Sequence, residues 1–100
     1  MKIVESATFR KWMTKLKDNR ARARITARIH RLTEGLPGDV APIGRGLSEL
    51  RIHYGPGYRV YYYQKDGVLI ILLCGGDKHT QQKDIKTAHA VLTEWRKQNG

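Results

Sequence analysis

The stretch that decides the fold runs from Glu49 to Gln82, ELRIHYGPGYRVYYYQKDGVLIILLCGGDKHTQQ. Together with the two residues before it, it predicts three consecutive strands, Leu47–His53, Tyr58–Gln64 and Val68–Cys74, separated by the turn sequences YGPG and KDG. Asp-Gly is a strong hairpin signal, so the strands are expected to be antiparallel neighbours. The third strand is apolar throughout, which predicts an interior strand covered on both faces.

Cations interrupt this β sequence where a buried strand would exclude them. Arg51 lies in the first of the three strands and Arg59 in the second, while Lys78 and His79 follow the third. Charged groups in strands must be solvated, paired or used in binding. The pattern therefore predicts an anion site, with RNA or another phosphate as the first ligand to consider.

The composition is that of a small basic domain. One hundred residues are enough for a single domain, residues 1–100, with one modest core. The net charge of +10 favours polyanionic partners through steering and counterion release. The alternative is a basic protein whose charge serves solubility alone.

The apolar content predicts a cytoplasmic protein without membrane contact. The longest apolar run, Val68–Cys74, is far shorter than the ~20 residues that cross a bilayer. The start of the chain, MKIVES, lacks the apolar region of a signal peptide. The single cysteine, Cys74, lies in the apolar run, so we expect a core residue rather than a reactive thiol, and no disulfide.

Helical periodicity on both sides of the strands predicts three helices. A short edge strand at Lys2–Val4 precedes the first helix, for which Ser6 or Thr8 is the N-cap. The second helix follows the Lys-Asp-Asn break at 17–19 and ends near Glu34, and the third spans about Gln82–Lys97. The apolar stripes are Phe9, Trp12, Met13 and Leu16 in the first helix, Ala21, Ile25, Ile29 and Leu32 in the second, and Ile85, Ala88, Leu92 and Trp95 in the third.

These elements define an α+β fold in the order β-α-α-β-β-β-α. A small antiparallel sheet is expected to pack on a helical hairpin, with a C-terminal helix added. The segment LPGDVAPIGRG, residues 36–46, is rich in Gly and Pro and is expected to be a surface loop.

The second helix carries a ridge of arginines beside its apolar stripe. From Arg10 to Arg31 nine Lys and Arg residues face a single acid, Asp18. A single-sign ridge repels itself, which favours a surface for a nucleic acid or protein partner over a merely solvated face. The ridge consists of Arg20, Arg24, Arg28 and Arg31.

Strand alternation predicts which side chains share a face. Leu50, Ile52, Val60 and Tyr62 are expected to point into the core. Keeping these apolar sets together pairs Arg51 with Tyr61 and His53 with Arg59. The opposite face is expected to be open and to bind single-stranded nucleic acid through arginine and tyrosine. Its members are Glu49, Arg51, His53, Arg59, Tyr61 and Tyr63. The alternative is a surface salt bridge between Glu49 and Arg51, with tyrosines that are ordinary strand formers.

The chain resembles the RelE/ParE superfamily of toxins. It looks closest to the small HigB-like "addiction module killer protein" group of bacterial type II toxin–antitoxin systems. The resemblance covers nearly the whole chain and depends on FRKWMTKLKD, RITARIHRLTEG, GLSELRIHYGPGYRVYYYQ, ILLCGGDKHTQQKDI and the terminal A-x-x-x-L-x-E-W.

The resemblance implies a ribosome-dependent endoribonuclease that cuts mRNA. It also implies neutralisation by an antitoxin from an adjacent gene, typically a helix-turn-helix protein. The arginine of the central Y-R-V-Y-Y strand in such toxins matches Arg59, and the arginine of the preceding strand corresponds by position to Arg51. The chain departs from several relatives after the last strand, where residues 76–79 are Gly-Asp-Lys-His without a tyrosine.

RNA cleavage without a metal uses the 2′-hydroxyl as nucleophile. It needs a base for that proton, cations for the charge on phosphorus, and an acid for the leaving oxygen. Arg59 and Arg51 are assigned to the charge because arginine stays protonated. Lys78 or His79 is the first candidate for proton transfer and His53 the second.

The remaining site predictions concern RNA contacts and metals. Tyr61 is expected to stack on a base or orient a phosphate, and Tyr63 and the arginine ridge to contribute to RNA binding. Neither a cofactor nor a metal is expected, and Asp77 and Asp84 are predicted to be helix-start residues.

Two other functions stay open at this point. One is a ParE-like inhibitor of DNA gyrase, which would need no RNA chemistry. The other is an RNA-binding module without catalysis. Arg51, Arg59 and Lys78 favour the ribonuclease, because gyrase-directed relatives tend to lack a basic catalytic set on the sheet.

Overall fold

A five-stranded sheet separates two helices from a third in the computed structural model, which describes residues 1–99. A short 3-10 helix, Lys78–Thr80, leads into the last helix. The predicted α+β class with a C-terminal helix is confirmed. In chain order the elements are β1 (Lys2–Glu5), α1 (Ala7–Lys15), α2 (Asn19–Thr33), β2 (Val40–Gly44), β3 (Leu47–Ile52), β4 (Tyr58–Lys65), β5 (Leu69–Asp77) and α3 (Gln81–Asn99).

The strands lie in the order β1-β5-β4-β3-β2. The pairs β2–β3, β3–β4 and β4–β5 are antiparallel, whereas the edge strand β1 runs parallel to β5. The predicted edge strand and the interior position of the apolar strand are both confirmed. Within residues 1–99, no helix has both the length and the apolar character needed to cross a membrane.

Local capping explains where the first two helices begin. Ser6, rather than Thr8, caps α1: its Oγ accepts from the Phe9 amide at 3.0 Å. The Asp18 carboxylate caps α2 by accepting from the amides of Arg20 and Ala21. A residue in the left-handed region, Gly35 with φ 80°, follows the end of α2.

Two apolar clusters cover the two faces of the sheet. On one face α1 and α2 bury the predicted core residues Leu50, Ile52, Val60 and Tyr62. On the other face α3 packs over Leu47, Tyr61, Leu73 and Cys74 with its own Ala88 and Leu92. The expectation of an open second face is therefore wrong, because the apolar stripe of the last helix needed a partner and covered it.

A bulge in β5 explains how one strand serves both clusters. Tyr61 pairs with Cys74 but Tyr62 pairs with Leu72, so Leu73 is the extra residue. The extra residue places both Leu73 and Cys74 on the α3 side, and Leu72 points to α1 and α2.

Part of the predicted loop is a strand. Residues 40–44 form β2, which pairs with β3 through Val40↔Leu50 and Ala41↔Glu49. Pro42 lies in this edge strand, where a missing amide donor is tolerated. The loop expectation was wrong here because Gly and Pro flank a short segment whose pairing depends on β3.

Two adjacent glycines let helices approach β5 from both sides. A Cβ on Gly75 would lie 2.3 Å from the Trp12 ring of α1, and a Cβ on Gly76 would lie 1.7 Å from Asp84 Oδ2 of α3. Both distances are far below a possible contact, so only glycine allows these approaches. The Gly76 contact fixes the start of α3 against the end of the sheet, where the predicted cations lie.

Candidate functional site

Two arginines stand opposite each other at one end of the sheet. Arg51 in β3 pairs with Arg59 in β4, and Arg59 pairs with Gly76 in β5. The predicted pairs Arg51–Tyr61 and His53–Arg59 are wrong by two residues, although the assignment of faces holds. Like charges directly opposite in a ladder repel, so this pair requires a compensating anion.

Glu49 supplies that anion from a fully buried position. Its Oε1 accepts a hydrogen bond from Arg51 Nε at 2.8 Å and lies 3.6 Å from Arg59 Nε. Its Oε2 accepts from Gln81 Nε2, in the first turn of α3, at 2.5 Å. The predicted alternative of a Glu49–Arg51 pair is confirmed as a contact, but the carboxylate is buried rather than on the surface.

The environment of Glu49 keeps it ionised. Burial by itself raises the pKa of Glu49, but the hydrogen bonds from Arg51 and Gln81 and the nearby charge of Arg59 outweigh burial, so the pKa lies below its usual value. One negative charge thus holds two arginines in place. We call Glu49, Arg51 and Arg59 the arginine cluster; its net charge is positive.

Arg59 is the more enclosed of the two arginines. Its side chain is 11% exposed, compared with 38% for Arg51. Nη1 makes a long contact of 3.5 Å with the Gly57 carbonyl, and Nε has no hydrogen-bond partner among residues 1–99. An enclosed guanidinium with unused donors is well suited to a phosphate oxygen.

Lys78 lies close to Arg59, across Gly57. A Cβ on Gly57 would lie 3.4 Å from Lys78 Cβ and 3.8 Å from Arg59 Nη1, so both cationic residues approach Gly57 closely. Lys78 and His79 are exposed in the 3-10 helix. The structure thus brings Lys78 to the rim of the arginine cluster.

The start of α3 presents a cationic surface beside this rim. An open depression there is lined by Lys78, His79, Lys83 and Lys86, together with Thr80, Gln81, Gln82 and Thr87, and by no carboxylate. Asp77 caps the 3-10 helix by accepting from the His79 amide at 2.8 Å, and Asp84 lies in the first turn of α3. The predicted helix-start roles of both acids are confirmed.

The two predicted tyrosines do not form a stacking surface. Tyr61 is fully buried beneath α3, and its hydroxyl has no hydrogen-bond partner among the described residues. Burial, reinforced by the charges of Glu49 and Asp84, raises the pKa of Tyr61 well above its usual value. Tyr63 lies farther along the same face, with the Arg96 guanidinium 5.0 Å from its ring centre. The expectation that Tyr61 lies on an open face is therefore wrong.

Asp39 joins the site without any prior indication from the sequence. Its Oδ2 lies 2.5 Å from His53 Nε2, and its Oδ1 lies 3.9 Å from Arg51 Nη1. The hydrogen bond from His53 is the main cause of the lowered pKa of Asp39. Burial opposes it, and the charge of Arg51 adds to the lowering. In the sequence Asp39 is an ordinary turn residue after Gly38, so only the fold reveals this contact.

Arg28 has a structural role that its ridge neighbours lack. Its Nη1 donates to the Arg51 carbonyl at 2.7 Å, and its Nη2 donates to the carbonyls of Pro37 at 2.9 Å and Asp39 at 3.4 Å. These bonds hold the loop before β2 against β3. Arg28 is therefore not a free surface cation, as the ridge interpretation supposed.

The other ridge arginines border a groove between α2 and the end of β3. Arg24 and Arg31 are exposed, and the Arg24 guanidinium lies 4.6 Å from the centre of the Tyr54 ring. Arg20 is exposed at the first turn of α2. The groove, which has a volume of about 310 Å³, is lined by Arg24, Ala27, Arg28, Arg31, Ile52 and His53.

The site as a whole suits a phosphate backbone. Within residues 1–99 no group of three or more His, Cys, Asp or Glu side chains is arranged to hold a metal ion. The arrangement offers instead an enclosed Arg59 beside a partly exposed Arg51, a lysine at their rim, a histidine held by a carboxylate, and a groove with two further exposed arginines. Cys74 is buried, which raises its thiol pKa to about 12, so it offers no reactive thiolate.

The fold and the site place the chain in a class: its five-stranded α+β architecture is compatible with a small RelE-like domain. Residues 11–94 match the family model described as "Phage derived protein Gp49-like (DUF891)". A curated protein of Haemophilus influenzae, described only as "Uncharacterized protein", is 52% identical over 94 residues, covering 94% of this chain and 95% of the relative. The chain belongs to the Gp49-like family, a family of RelE-like toxins of toxin–antitoxin systems.

Proposed function

We propose that this protein is the toxin of a type II toxin–antitoxin system, of the HigB-like group, and that it acts as a ribosome-dependent mRNA endoribonuclease. The observation that carries the proposal is the arginine cluster, in which Arg51 and Arg59 face each other and share the buried carboxylate of Glu49. Membership of the Gp49-like family supports the toxin class.

The arginine cluster fits the charge requirements of phosphodiester cleavage. Attack on phosphorus builds negative charge on the non-bridging oxygens, and fixed cations stabilise that charge without reorganising during the reaction. Glu49 holds the Arg51 guanidinium at 2.8 Å and lies 3.6 Å from Arg59 Nε, so neither cation has to be ordered by the substrate. Arginine cannot act as the base, because it stays protonated at working pH.

The chemistry proposed is attack by the 2′-hydroxyl of the nucleotide at the cut. Arg59 and Arg51 stabilise the charge that develops on the phosphorus oxygens. We assign protonation of the leaving 5′-oxygen to Lys78, whose Cβ lies near Gly57 at the rim of the cluster, with His79 on the same 3-10 helix as the second candidate. No metal enters this scheme.

RNA binding extends beyond the cluster in the proposal. We assign further RNA contacts to the depression at the start of α3, with its lysines, and to the groove with Arg24 and Arg31. His53 is part of the groove, and Arg20 adds charge at the start of α2. With a chain charge of +10, these surfaces favour a polyanion such as mRNA or ribosomal RNA.

The toxin also requires a partner that holds it inactive. We propose a cognate antitoxin, of helix-turn-helix type and encoded next to the toxin gene, and a cytoplasmic site of action on ribosomes. The carboxylates of such an antitoxin would compete with RNA for the exposed cations. Purifying the protein together with the product of the adjacent gene tests this part.

Expression in cells, with variants at Arg59, tests the function. We expect the wild type to stop growth and to create new mRNA 5′ ends within translated regions, and we expect Arg59→Ala to do neither while it stays folded. Lys97→Ala is the matched control, because this exposed cation lies about 24 Å along α3 from Gln81 and should keep full toxicity.

Each other outcome points to a different function. DNA breaks and an SOS response without new mRNA ends would identify a gyrase inhibitor and contradict the proposal. Growth arrest with intact mRNA bound to the protein would identify a binding module without catalysis. Full toxicity of Arg59→Ala would show that the arginine cluster is not the site.

A further inference from the structure

The contact between His53 and Asp39 lies where the arginine cluster meets the α2 groove. His53 Nε2 is 2.5 Å from Asp39 Oδ2, while 72% of the His53 side chain is exposed. A carboxylate bound to one ring nitrogen orients an imidazole and leaves the other nitrogen free to exchange a proton. This is the arrangement that a general base needs.

The carboxylate in this contact is itself fixed by the fold. The Asp39 carbonyl accepts from the Arg51 amide at 3.0 Å and from Arg28 Nη2 at 3.4 Å. The Asp39 carboxylate also lies 3.9 Å from Arg51 Nη1, so it is connected to the arginine cluster by charge as well as by the backbone. The imidazole is therefore held at a defined place beside the phosphate-binding cations.

His79 lacks comparable support. Asp77 binds its backbone amide, but within residues 1–99 no carboxylate lies within salt-bridge distance of its ring. An imidazole without such a contact is a weaker base in an enzyme, because its motion must be restricted before each reaction. The comparison favours His53 over His79 for the step that removes a proton.

We propose that His53 and Asp39 form the proton-transfer pair of RNA cleavage, with His53 as the catalytic base and Asp39 as its positioning residue. The proposal rests on the endoribonuclease function proposed above. Neutral His53 takes the proton of the 2′-hydroxyl, and the 2′-oxygen forms a bond to phosphorus. The bond from phosphorus to the 5′-oxygen breaks, and that oxygen takes a proton from Lys78 or water. The products are a 2′,3′-cyclic phosphate and a 5′-hydroxyl.

The α2 groove explains how RNA reaches this base. The groove is lined by His53 and by the exposed Arg24 and Arg31, so a phosphate backbone bound there would contact the imidazole. Five charged groups lie near His53: Asp39 directly before β2, Arg51 from β3, and Arg24, Arg28 and Arg31 from α2.

Single-turnover cleavage of ribosome-bound mRNA tests the proposal. We expect His53→Gln to slow cleavage at least about 100-fold with little change in RNA binding, which is the usual effect of losing a general base. His30→Gln is the matched control, because this histidine is exposed on α2 and does not line the groove, and it should stay within about threefold of the wild type. Equal unfolding midpoints for the three proteins show that the variants are folded.

A pH profile separates positioning by Asp39 from a merely structural role. We expect Asp39→Asn to slow cleavage about tenfold and to shift the acidic limb of the pH profile, because the contact between Asp39 and the imidazole is lost. A structural role would lower the rate equally at every pH, and that result would contradict the assignment of Asp39.

A substrate with sulfur in place of the 5′-bridging oxygen distinguishes a base from an acid. A thiolate leaves without a proton, so the loss of an acid is rescued and the loss of a base is not. We expect His53→Gln to remain slow on this substrate. Rescue of His53→Gln on the sulfur substrate, or cleavage of the normal substrate by His53→Gln at the wild-type rate, overturns the proposed proton-transfer pair and leaves the ribonuclease function intact. Failure of the wild-type protein to cleave overturns both.

Discussion

Arg51 lies directly opposite Arg59 in the β3–β4 ladder, and the buried Glu49 carboxylate is 2.8 Å from the Nε of the first and 3.6 Å from the Nε of the second. This carboxylate allows two like charges to share one end of the sheet. Gln81 donates to the same carboxylate at 2.5 Å, so the packing of α3 and the order of the arginines depend on each other. The fold and the proposed chemistry therefore have a common element in Glu49.

Replacing Glu49 with Gln should destabilise the protein strongly. The variant keeps the size of the side chain but leaves Arg51 and Arg59 facing each other without an anion. We expect a loss of about 3 kcal/mol in the free energy of unfolding, at the low end for breaking a buried pair because Arg51 is partly exposed. Urea unfolding measures it. The double variant Glu49→Gln with Arg51→Gln should recover part of the loss. An unchanged urea-unfolding midpoint for Glu49→Gln would contradict the proposed role of Glu49 in compensating the two arginines.

The stability of the protein should fall as the pH drops through the range where carboxyl groups titrate. Glu49 and Asp39 have lower pKa values when folded than their usual values of 4.5 and 3.8. The unfolded chain then takes up protons first, so the stability that these groups contribute is complete above about pH 5 and is lost at lower pH. Asp84, whose pKa is raised by burial, has the opposite effect.

The contribution of Glu49 to this pH dependence can be isolated with the same variant. We expect the difference in unfolding free energy between the wild type and Glu49→Gln to shrink steadily between pH 5 and pH 3. Thermal or urea unfolding at several pH values measures this difference. A difference that stays constant over that range would show that Glu49 is not ionised in the folded protein.

Gly76→Ala should prevent α3 from packing at the end of the sheet. Its new Cβ would lie 1.7 Å from Asp84 Oδ2, which the fold cannot accommodate without moving the start of α3. We expect a severe loss of stability or no folded protein at all, as judged by circular dichroism. Gly35→Ala is the control, since no atom lies within 4 Å of its Cβ and only its positive φ of 80° costs energy, about 1 kcal/mol.

The ridge arginines should separate into two kinds. We expect Arg28→Ala to lower the free energy of unfolding by about 2 kcal/mol, because three backbone carbonyls lose a charged donor. Arg31 is exposed, so we expect Arg31→Ala to leave the free energy of unfolding unchanged within about 0.5 kcal/mol. We expect the same variant to lower the slope of log RNA affinity against log salt concentration by about one, which corresponds to the loss of one phosphate contact. Equal stability of the two variants would contradict the structural role of Arg28.

Much of the fold follows from local patterns in the sequence. Apolar residues at helical spacing predicted all three helices, and the caps at Ser6 and Asp18 fixed where the first two begin. The Asp-Gly turn and the apolar run 68–74 predicted the β4–β5 hairpin. These signals are local, so they survive without knowledge of the tertiary structure.

Features that depend on distant contacts were not predictable in the same way. The register between β3 and β4 was wrong by two residues, because alternation fixes the face but not the pairing partner. Tyr61 was assigned to an open face because nothing in its own strand shows that α3 covers it. Asp39 and β2 were missed because a turn-rich segment acquires its structure only from β3 and Arg28.

Single-turnover cleavage of mRNA on programmed ribosomes, with wild-type protein and Arg59→Ala compared at equal concentration, is the decisive test of the proposed endoribonuclease. We expect defined cuts by the wild type and a rate at least about 100-fold lower for Arg59→Ala, in line with the loss of one group that stabilises transition-state charge. Lys97→Ala should match the wild type. Cleavage by Arg59→Ala at the wild-type rate, or no cleavage by the wild type, would contradict the proposal.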